Sequence, residues 1–263
     1  MFDVTGKVAL ITGGSQGIGA AIAKEFLQAG LRGVSIMARS EETSMKVIKE
    51  LTNEFGEGKA VFIKGDVSDR QQFDDAFKRT VGVFNNIDIV VNNAIARGET
   101  AWERIIAVNL TGSITGTILA LENYIPKYAS DNGGVIINIS SSAGLHGFPP
   151  LPVYTASKSG IIGLTRALGS DFHYKRTNIK VIAVCAGYTD TPAIFTDKSD
   201  FLGKAYFDLY EDYMKNLFPQ PASAVSKAVV TVIKEGCSGS IWIADNSKPP
   251  YEVQLAVKKE EEQ

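Results

Sequence analysis

The stretch VALITGGSQGIGAAIAKEF, residues 8–26, runs an apolar, β-branched strand signal into spaced glycines and then into a helix signal. Gly13, Gly17 and Gly19 therefore fall at a strand-to-helix turn. A helix start offers free backbone N–H groups and a positive dipole end, and glycines let phosphates approach that backbone closely. A lone glycine pattern is equally a tight turn. Its placement between strand and helix points to a dinucleotide pyrophosphate, with Gly13, Ser15, Gln16, Gly17, Ile18 and Gly19 as the expected cradle.

The rest of the chain repeats this unit. Apolar runs at 8–12, 34–38, 60–65, 87–93, 135–140, 179–184 and 241–244 alternate with amphipathic stretches at about 17–29, 41–55, 69–83, 100–128, 153–175 and 222–235. Continuous apolar strands separated by helices predict an α/β doubly wound fold. Its sheet is expected to be parallel and seven-stranded, covered by helices on both faces, with its ligand beyond the carboxyl ends of the strands. No repeat or low-complexity linker interrupts the pattern, so residues 1–263 read as one domain. The closing KKEEEQ reads as a solvated tail.

One segment breaks the alternation. Between 190 and 220 lie Phe195, Phe201, Tyr206, Phe207, Tyr210, Tyr213 and Phe218. Two readings are open: a helix–turn–helix patch packing on its own core, or an apolar lid over the ligand crevice. Tyr206, Tyr210 and Tyr213 recur at helical spacing, and Phe148, Leu151 and Leu145 are expected to approach the same mouth from another loop.

Composition narrows the function classes. A net charge of −2, from 27 basic and 29 acidic residues, offers no field for nucleic acid or an anionic membrane. No apolar run approaches the roughly 20 residues of a membrane span. The N-terminus enters a strand-like run directly, without the marks of a signal peptide. Cys185, in an apolar run, reads as a buried thiol and Cys237 as a turn residue, which suits a reducing cytoplasmic location. His146 and His173 are far apart and no cluster has metal-ligand spacing, so no metal is expected. His146 reads either as an exposed loop histidine or as a pocket-lining one.

YTASK, residues 154–158, places a phenol and an ammonium four residues apart, hence on one face if helical. Taken alone, this is an ordinary surface pair. Its register with other motifs changes the reading. The spacing T-G-x-x-x-G-x-G over residues 12–19 is followed by GDV at 65–67 and NNA at 92–94. Then come Asn109 in VNLTG, ISSSAG at 139–144, and Tyr154 and Lys158, with Ser141 preceding Tyr154 by 13 residues. Together these resemble the short-chain dehydrogenase/reductase family over about residues 5–245. The NNA…W segment, GLTRAL and the GSIWIA ending look like hydroxyprostaglandin dehydrogenases and insect-type alcohol dehydrogenases.

The resemblance implies a Rossmann fold and an oxidoreductase site. Tyr154 would be the acid/base, and Lys158 would lower its pKa and bind the nicotinamide ribose. A free phenol at about 10 needs roughly 4 kcal/mol of such help to work near neutrality. Ser141 would hydrogen-bond the substrate oxygen, and Asn109 would hold a water in the proton relay. Asp66 and Val67 would hold the adenine, Asn93 would lie along the cofactor, and Thr189 and Thr191 would meet its nicotinamide end. Asp66 also reads as a helix-capping or turn acid. The long helices imply a homodimer or homotetramer. Two departures stand out: Ile95 replaces the usual glycine after NNA, and Ala186-Gly187 replaces the usual Pro-Gly, which is expected to loosen that loop.

For the cofactor, SIMARSEE places Ala38 where NAD-dependent relatives carry an acid, followed by Arg39. An arginine fork suits a 2′-phosphate, so NADP(H) is expected. Gln16, where many NADP-binding relatives have a base, keeps NAD(H) open. Leu151 stands where prostaglandin dehydrogenases present a polar side chain. With Ser141 and Tyr154 it suggests an apolar alcohol or carbonyl substrate. Alternatives are an NAD-linked prostaglandin-type dehydrogenase acting oxidatively and a non-catalytic dinucleotide-binding regulator.

Overall fold

A computed structural model describes residues 2–195 and 197–255. The KKEEEQ tail lies outside the described residues. The main sheet is built from β1 (Val8–Thr12), β2 (Gly33–Ala38), β3 (Ala60–Lys64), β4 (Ile89–Asn92), β5 (Gly134–Ser141) and β6 (Ile179–Ala186). A small pair, β7 (Thr189–Asp190) and β8 (Gln220–Pro221), precedes β9 (Ile241–Ala244) and β10 (Tyr251–Glu252). The order across the sheet is β10-β9-β6-β5-β4-β1-β2-β3. Seven strands are parallel, as expected; the eighth, β10, adds a two-residue antiparallel edge against β9. Strand order reverses at β1, which pairs with β2 on one side and β4 on the other. A crevice therefore opens beyond the carboxyl ends of β1 and β4.

The central strands are largely apolar because both of their faces are buried, whereas β3 at the edge is only partly buried. In β1, Ala9 and Ile11 face one core and Leu10 the other; in β4, Ile89 and Val91 oppose Val90. The first core is closed by Ile22 and Phe26 of α1 (Gly17–Gln28), Leu51 of α2 (Glu41–Phe55) and a C-terminal helix, Ala222–Glu235. The second is closed by Phe73 and Phe77 of α3 (Arg70–Phe84) and by Leu119, Leu121 and Ile125 of α4 (Glu99–Tyr128).

Helix α4 is long and apolar enough to cross a bilayer, contrary to the expectation from the sequence, but more than half of its apolar window is buried within the protein. Two π-helical stretches interrupt it, Ile106–Thr111 and Leu119–Tyr124. The first carries Asn109, and such bulges are frequent at functional sites.

The stretch predicted as one helix over 153–175 is two: α5 (Pro152–Leu168) and α6 (Asp171–Thr177). The break has a steric cause. A Cβ on Gly169 would come within 2.3 Å of the Gly239 nitrogen, so the chain turns where another backbone passes against it. Two further helices follow, α7 (Lys204–Met214) within the aromatic segment and α8 (Ala222–Glu235).

Candidate active site

A cavity of about 880 Å³ fills the crevice. It is lined by Gly13, Ser15, Gln16, Gly17, Ile18, Arg39, Asp66, Val67, Asn93, Ser141, Leu151, Tyr154, Lys158, Thr189 and Thr191. These include all the sequence-predicted site residues except Gly19 and Asn109.

The glycine turn is shaped by contacts that no side chain could share. Gly13 has φ of +66°, and a Cβ there would meet the Ala94 Cα at 2.8 Å. A Cβ on Gly19 would come within 2.5 Å of the Asn93 amide nitrogen and 2.6 Å of the Gly13 carbonyl, so this glycine serves helix-to-strand packing behind the cavity wall. Asn93 donates its side-chain amide to the Thr12 carbonyl at 2.9 Å and bracing reaches Gly13 at 3.2 Å. It props the turn from behind while also reaching the cavity. The turn therefore fits a dinucleotide pyrophosphate: backbone N–H groups stand at a helix start with no Cβ in the way.

At the outer end, Ala38, Arg39, Ser40 and Thr43 line the cavity together. Ser40 caps α2, accepting the Thr43 N–H. Asp66 accepts from the Ser68 N–H and hydroxyl at 3.0 and 2.7 Å and pairs with Arg104. Burial pushes its carboxyl up, but the Ser68 and Arg104 donors outweigh that and hold it below the usual range. Asp66 is thus a turn acid as well as a cavity-lining residue, and its partner Arg104 was not anticipated.

At the inner end, α5 is laid tightly on β5. The Ser140 hydroxyl donates to the Lys158 carbonyl at 2.9 Å, and a Cβ on Gly144 would strike the Lys158 backbone at 2.8 Å. Lys158 is buried, and its Nζ donates to the Ile139 carbonyl at 2.9 Å while standing 5.7 Å from the centre of the Tyr154 ring. Burial lowers this ammonium to about 8. Burial also pushes the Tyr154 phenol up, against an opposing hydrogen bond with Ser141. The expectation that Lys158 depresses Tyr154 is thus not met by the chain's own groups: the lysine head is turned toward β5, and desolvation governs both side chains.

Asn109 departs from its expected place. Its side chain accepts the Ala96 N–H at 2.7 Å and donates to the Ala96 carbonyl and the Ser157 hydroxyl, each at 3.3 Å. It is fully buried and does not face the cavity. Ile95 does line the cavity beside Ala94, where the usual glycine would leave more room. The Ala186-Gly187 loop is not loosened: the Gly187 N–H donates to the Ala244 carbonyl at 2.9 Å, and a Cβ on Gly187 would overlap the Asp245 carboxylate. Thr189 bonds back to the Gly187 carbonyl at 2.8 Å, and Thr191 folds over Gly17.

The aromatic segment closes the inner end. Leu151, Phe195, Phe201 and Tyr210 form one buried cluster, with Phe148, Tyr154, Phe207 and Met214 packed on it. The Phe195 ring meets Tyr154 edge-on at 5.8 Å, and Phe148 meets Tyr210 and Tyr213 similarly. The buried stripe of α7 keeps Tyr210 but replaces the two flanking tyrosines of the expected one. Phe207, Tyr210 and Met214 face inward, whereas Tyr206 is exposed. Leu145 also turns away from the mouth, packing with Ile162 and Ile243 instead. His146 is exposed at the rim of the same cavity, so both of its readings hold. Cys185 is buried, its thiol pushed up to about 12, and Cys237 is exposed.

A family model for short chain dehydrogenases matches residues 7–200. The chain belongs to the short-chain dehydrogenase family. It is accordingly an oxidoreductase acting on CH–OH groups. Among relatives of this short-chain dehydrogenase, a 15-hydroxyprostaglandin dehydrogenase [NAD(+)] of Bos taurus is 36% identical over 249 residues, 93% of each chain. A 3beta-hydroxysteroid dehydrogenase 2 of Eggerthella lenta is 36% identical over 197 residues, covering 72% of this chain and 73% of its own. A short chain dehydrogenase of Burkholderia cenocepacia, solved in complex with NADP, superposes with a TM-score of 0.76 at 27% identity, covering 93% of this chain and 98% of its own.

Proposed function

We propose that this dehydrogenase interconverts a secondary alcohol and a ketone or aldehyde on a bulky apolar molecule of lipid, terpenoid, retinoid or steroid type. The observation that carries the reading is the inner cavity wall: Leu151, Phe148, Phe195, Tyr210 and Met214 surround the Ser141–Tyr154 pair. Such a wall binds a hydrocarbon skeleton through its apolar area and leaves a hydroxyl to find the Ser141–Tyr154 pair. The segment 190–220 acts as the lid of a single domain. A relative acting on a prostaglandin and another acting on a hydroxysteroid support a lipid-like substrate.

In this mechanism the Ser141 hydroxyl orients the substrate oxygen, and the Tyr154 phenol takes the hydroxyl proton in oxidation or returns it in reduction. When bound, the nicotinamide supplies the hydride acceptor or donor and, when oxidised, a positive ring. Lys158 would hold the nicotinamide ribose, and its ammonium would oppose the effect of burial on the phenol once drawn from the Ile139 carbonyl toward the bound cofactor. Asn109 contributes by fixing Ala96 and Ser157. Asp66 and Val67 would hold the adenine, Asn93 braces the glycine turn that would take the phosphates, and Thr189 and Thr191 would meet the nicotinamide end. A reducing cytoplasm suits the two unpaired cysteines. Trp102, Ile118 and Tyr128 are exposed on α4, and a homodimer or homotetramer packed through this helix would cover some of them. Turnover of apolar ketones over sugars and hydroxy acids, followed by nicotinamide absorbance, tests the substrate reading; a preference for the polar set rejects it.

The cofactor reading is NADP(H), carried by Arg39, with Ser40 and Thr43 beside it and no acid at Ala38. The NAD-linked alternative is favoured by the bovine relative's stated cofactor. Replacing Ala38 with Asp and Arg39 with Ala should reverse the ratio of kcat/KM for NADP over NAD, by about tenfold or more for the loss of a charge-assisted fork. A wild-type protein that already prefers NAD(H) contradicts the NADP(H) reading.

A further inference from the structure

Helix α5 begins at Pro152 with no side-chain cap from its own N-cap residue, Leu151. Its first N–H groups are instead met from another part of the chain. Glu99, at the start of α4, is fully buried, and its two carboxylate oxygens accept the Val153 and Tyr154 N–H groups, each at 2.8 Å. On its other side, the Tyr154 carbonyl accepts the Ser157 hydroxyl at 2.7 Å, and that hydroxyl accepts in turn from Asn109 at 3.3 Å. Asn109 also grips both the N–H and the carbonyl of Ala96, three residues before Glu99. The peptide of Tyr154 is therefore held at its N–H and at its carbonyl by groups that trace back to one short segment, 96–109.

We propose that Glu99 is a positioning residue for the reaction: its buried carboxylate clamps the first turn of α5 and so sets where the Tyr154 phenol stands relative to Ser141. This inference rests on the assignment of Tyr154 as acid/base. The carboxylate matches its task, since its two oxygens meet two parallel N–H donors at the positive end of a helix, and these oppose the burial that pushes its pKa up. Burying an acid is costly, and a capping role for the helix alone is met elsewhere in this chain by solvated groups, Ser40 on α2 and Asp69 on α3. The same segment also ties down the lid, because Arg97 donates to the Pro192 carbonyl at 3.2 Å and to Ile194, and the Thr100 hydroxyl donates to Ser199 at 3.2 Å. Tyr154 and the lid root are thus referenced to one loop.

The test is Glu99→Gln, which keeps the shape but leaves only one good acceptor for two donors. Glu99→Asp is the second variant; it keeps the charge but withdraws it by one methylene. The expected result in both is a fall in kcat of about tenfold or more, with cofactor Kd unchanged. Amide exchange at residues 153–154, read by mass spectrometry or NMR, should accelerate by a similar factor. A merely structural role would lower Tm and leave kcat below Tm at the wild-type value. Either variant folded with wild-type kcat, whatever its exchange at Tyr154, overturns the proposal. A wild-type protein without turnover, or a fully active Tyr154→Phe, instead overturns the assignment on which the inference rests.

Discussion

Tyr154→Phe should fold, bind the dinucleotide with unchanged affinity and lose turnover by a factor on the order of 10² to 10⁴, the usual contribution of a general acid/base. The substitution removes one oxygen from a ring whose packing against Phe195 is untouched. Only the exchangeable proton is lost. Because the loss occurs in the reacting step, kcat and kcat/KM should fall together. Burial raises the phenol's pKa. Oxidation, which needs the phenolate, should therefore gain rate as pH rises, and reduction, which needs the phenol, should lose it. A Phe variant at wild-type rate would remove Tyr154 from the chemistry.

The second large effect has opposite signs on activity and stability. Lys158 is buried and held at about 8 rather than 10.5. The folded state thus disfavours the ammonium by about 3 kcal/mol, at 1.36 kcal/mol per pH unit. That cost is present in full below about pH 8, where the ammonium persists in the folded protein, and disappears as pH rises toward 10.5. Lys158→Met keeps the length without the charge. It also loses the hydrogen bond to Ile139, worth about 1 kcal/mol. Near pH 7 the variant should be more stable by about 2 kcal/mol, with a Tm several degrees higher. Turnover should fall by two orders of magnitude or more, and cofactor affinity should weaken. The stability gain should shrink on titration to alkaline pH. A Met variant that is less stable than wild type near neutrality would show that the cation is satisfied in place. The contrast is the usual one between a reactive site and an optimally stable one.

Much of this was legible in the sequence, for reasons that can be located. The glycine turn reads clearly because each glycine answers a local demand: a left-handed φ at Gly13 and Gly17, a close approach at Gly19. The central strands read clearly because burial on both faces leaves few polar positions to blur them. What was missed depends on distant contacts. The break at Gly169 comes from a backbone seventy residues later, at Gly239, which helical periodicity cannot register. The phase of α7 is set by Leu151 and Phe201, so the tyrosine spacing alone selected Tyr206 when Phe207 is the inward residue. Asn109 sits in a π-helical stretch, and its side chain is engaged by Ala96 and Ser157, which lie far from it in sequence. Glu99 gave no signal at all, because an acid in a loop looks solvated until the N–H groups it serves arrive from α5.

The most direct measurement is kcat/KM, with the oxidised cofactor, across a homologous series of unbranched secondary alcohols, read as formation of reduced nicotinamide. Each added methylene that enters the cavity beside Leu151 and Phe195 should contribute about 0.8 kcal/mol, or roughly a fourfold rise per carbon until the cavity is filled. A steady climb supports an apolar-alcohol dehydrogenase with the lid as its wall. A flat or falling series, or cofactor binding with no turnover of any member, would contradict it.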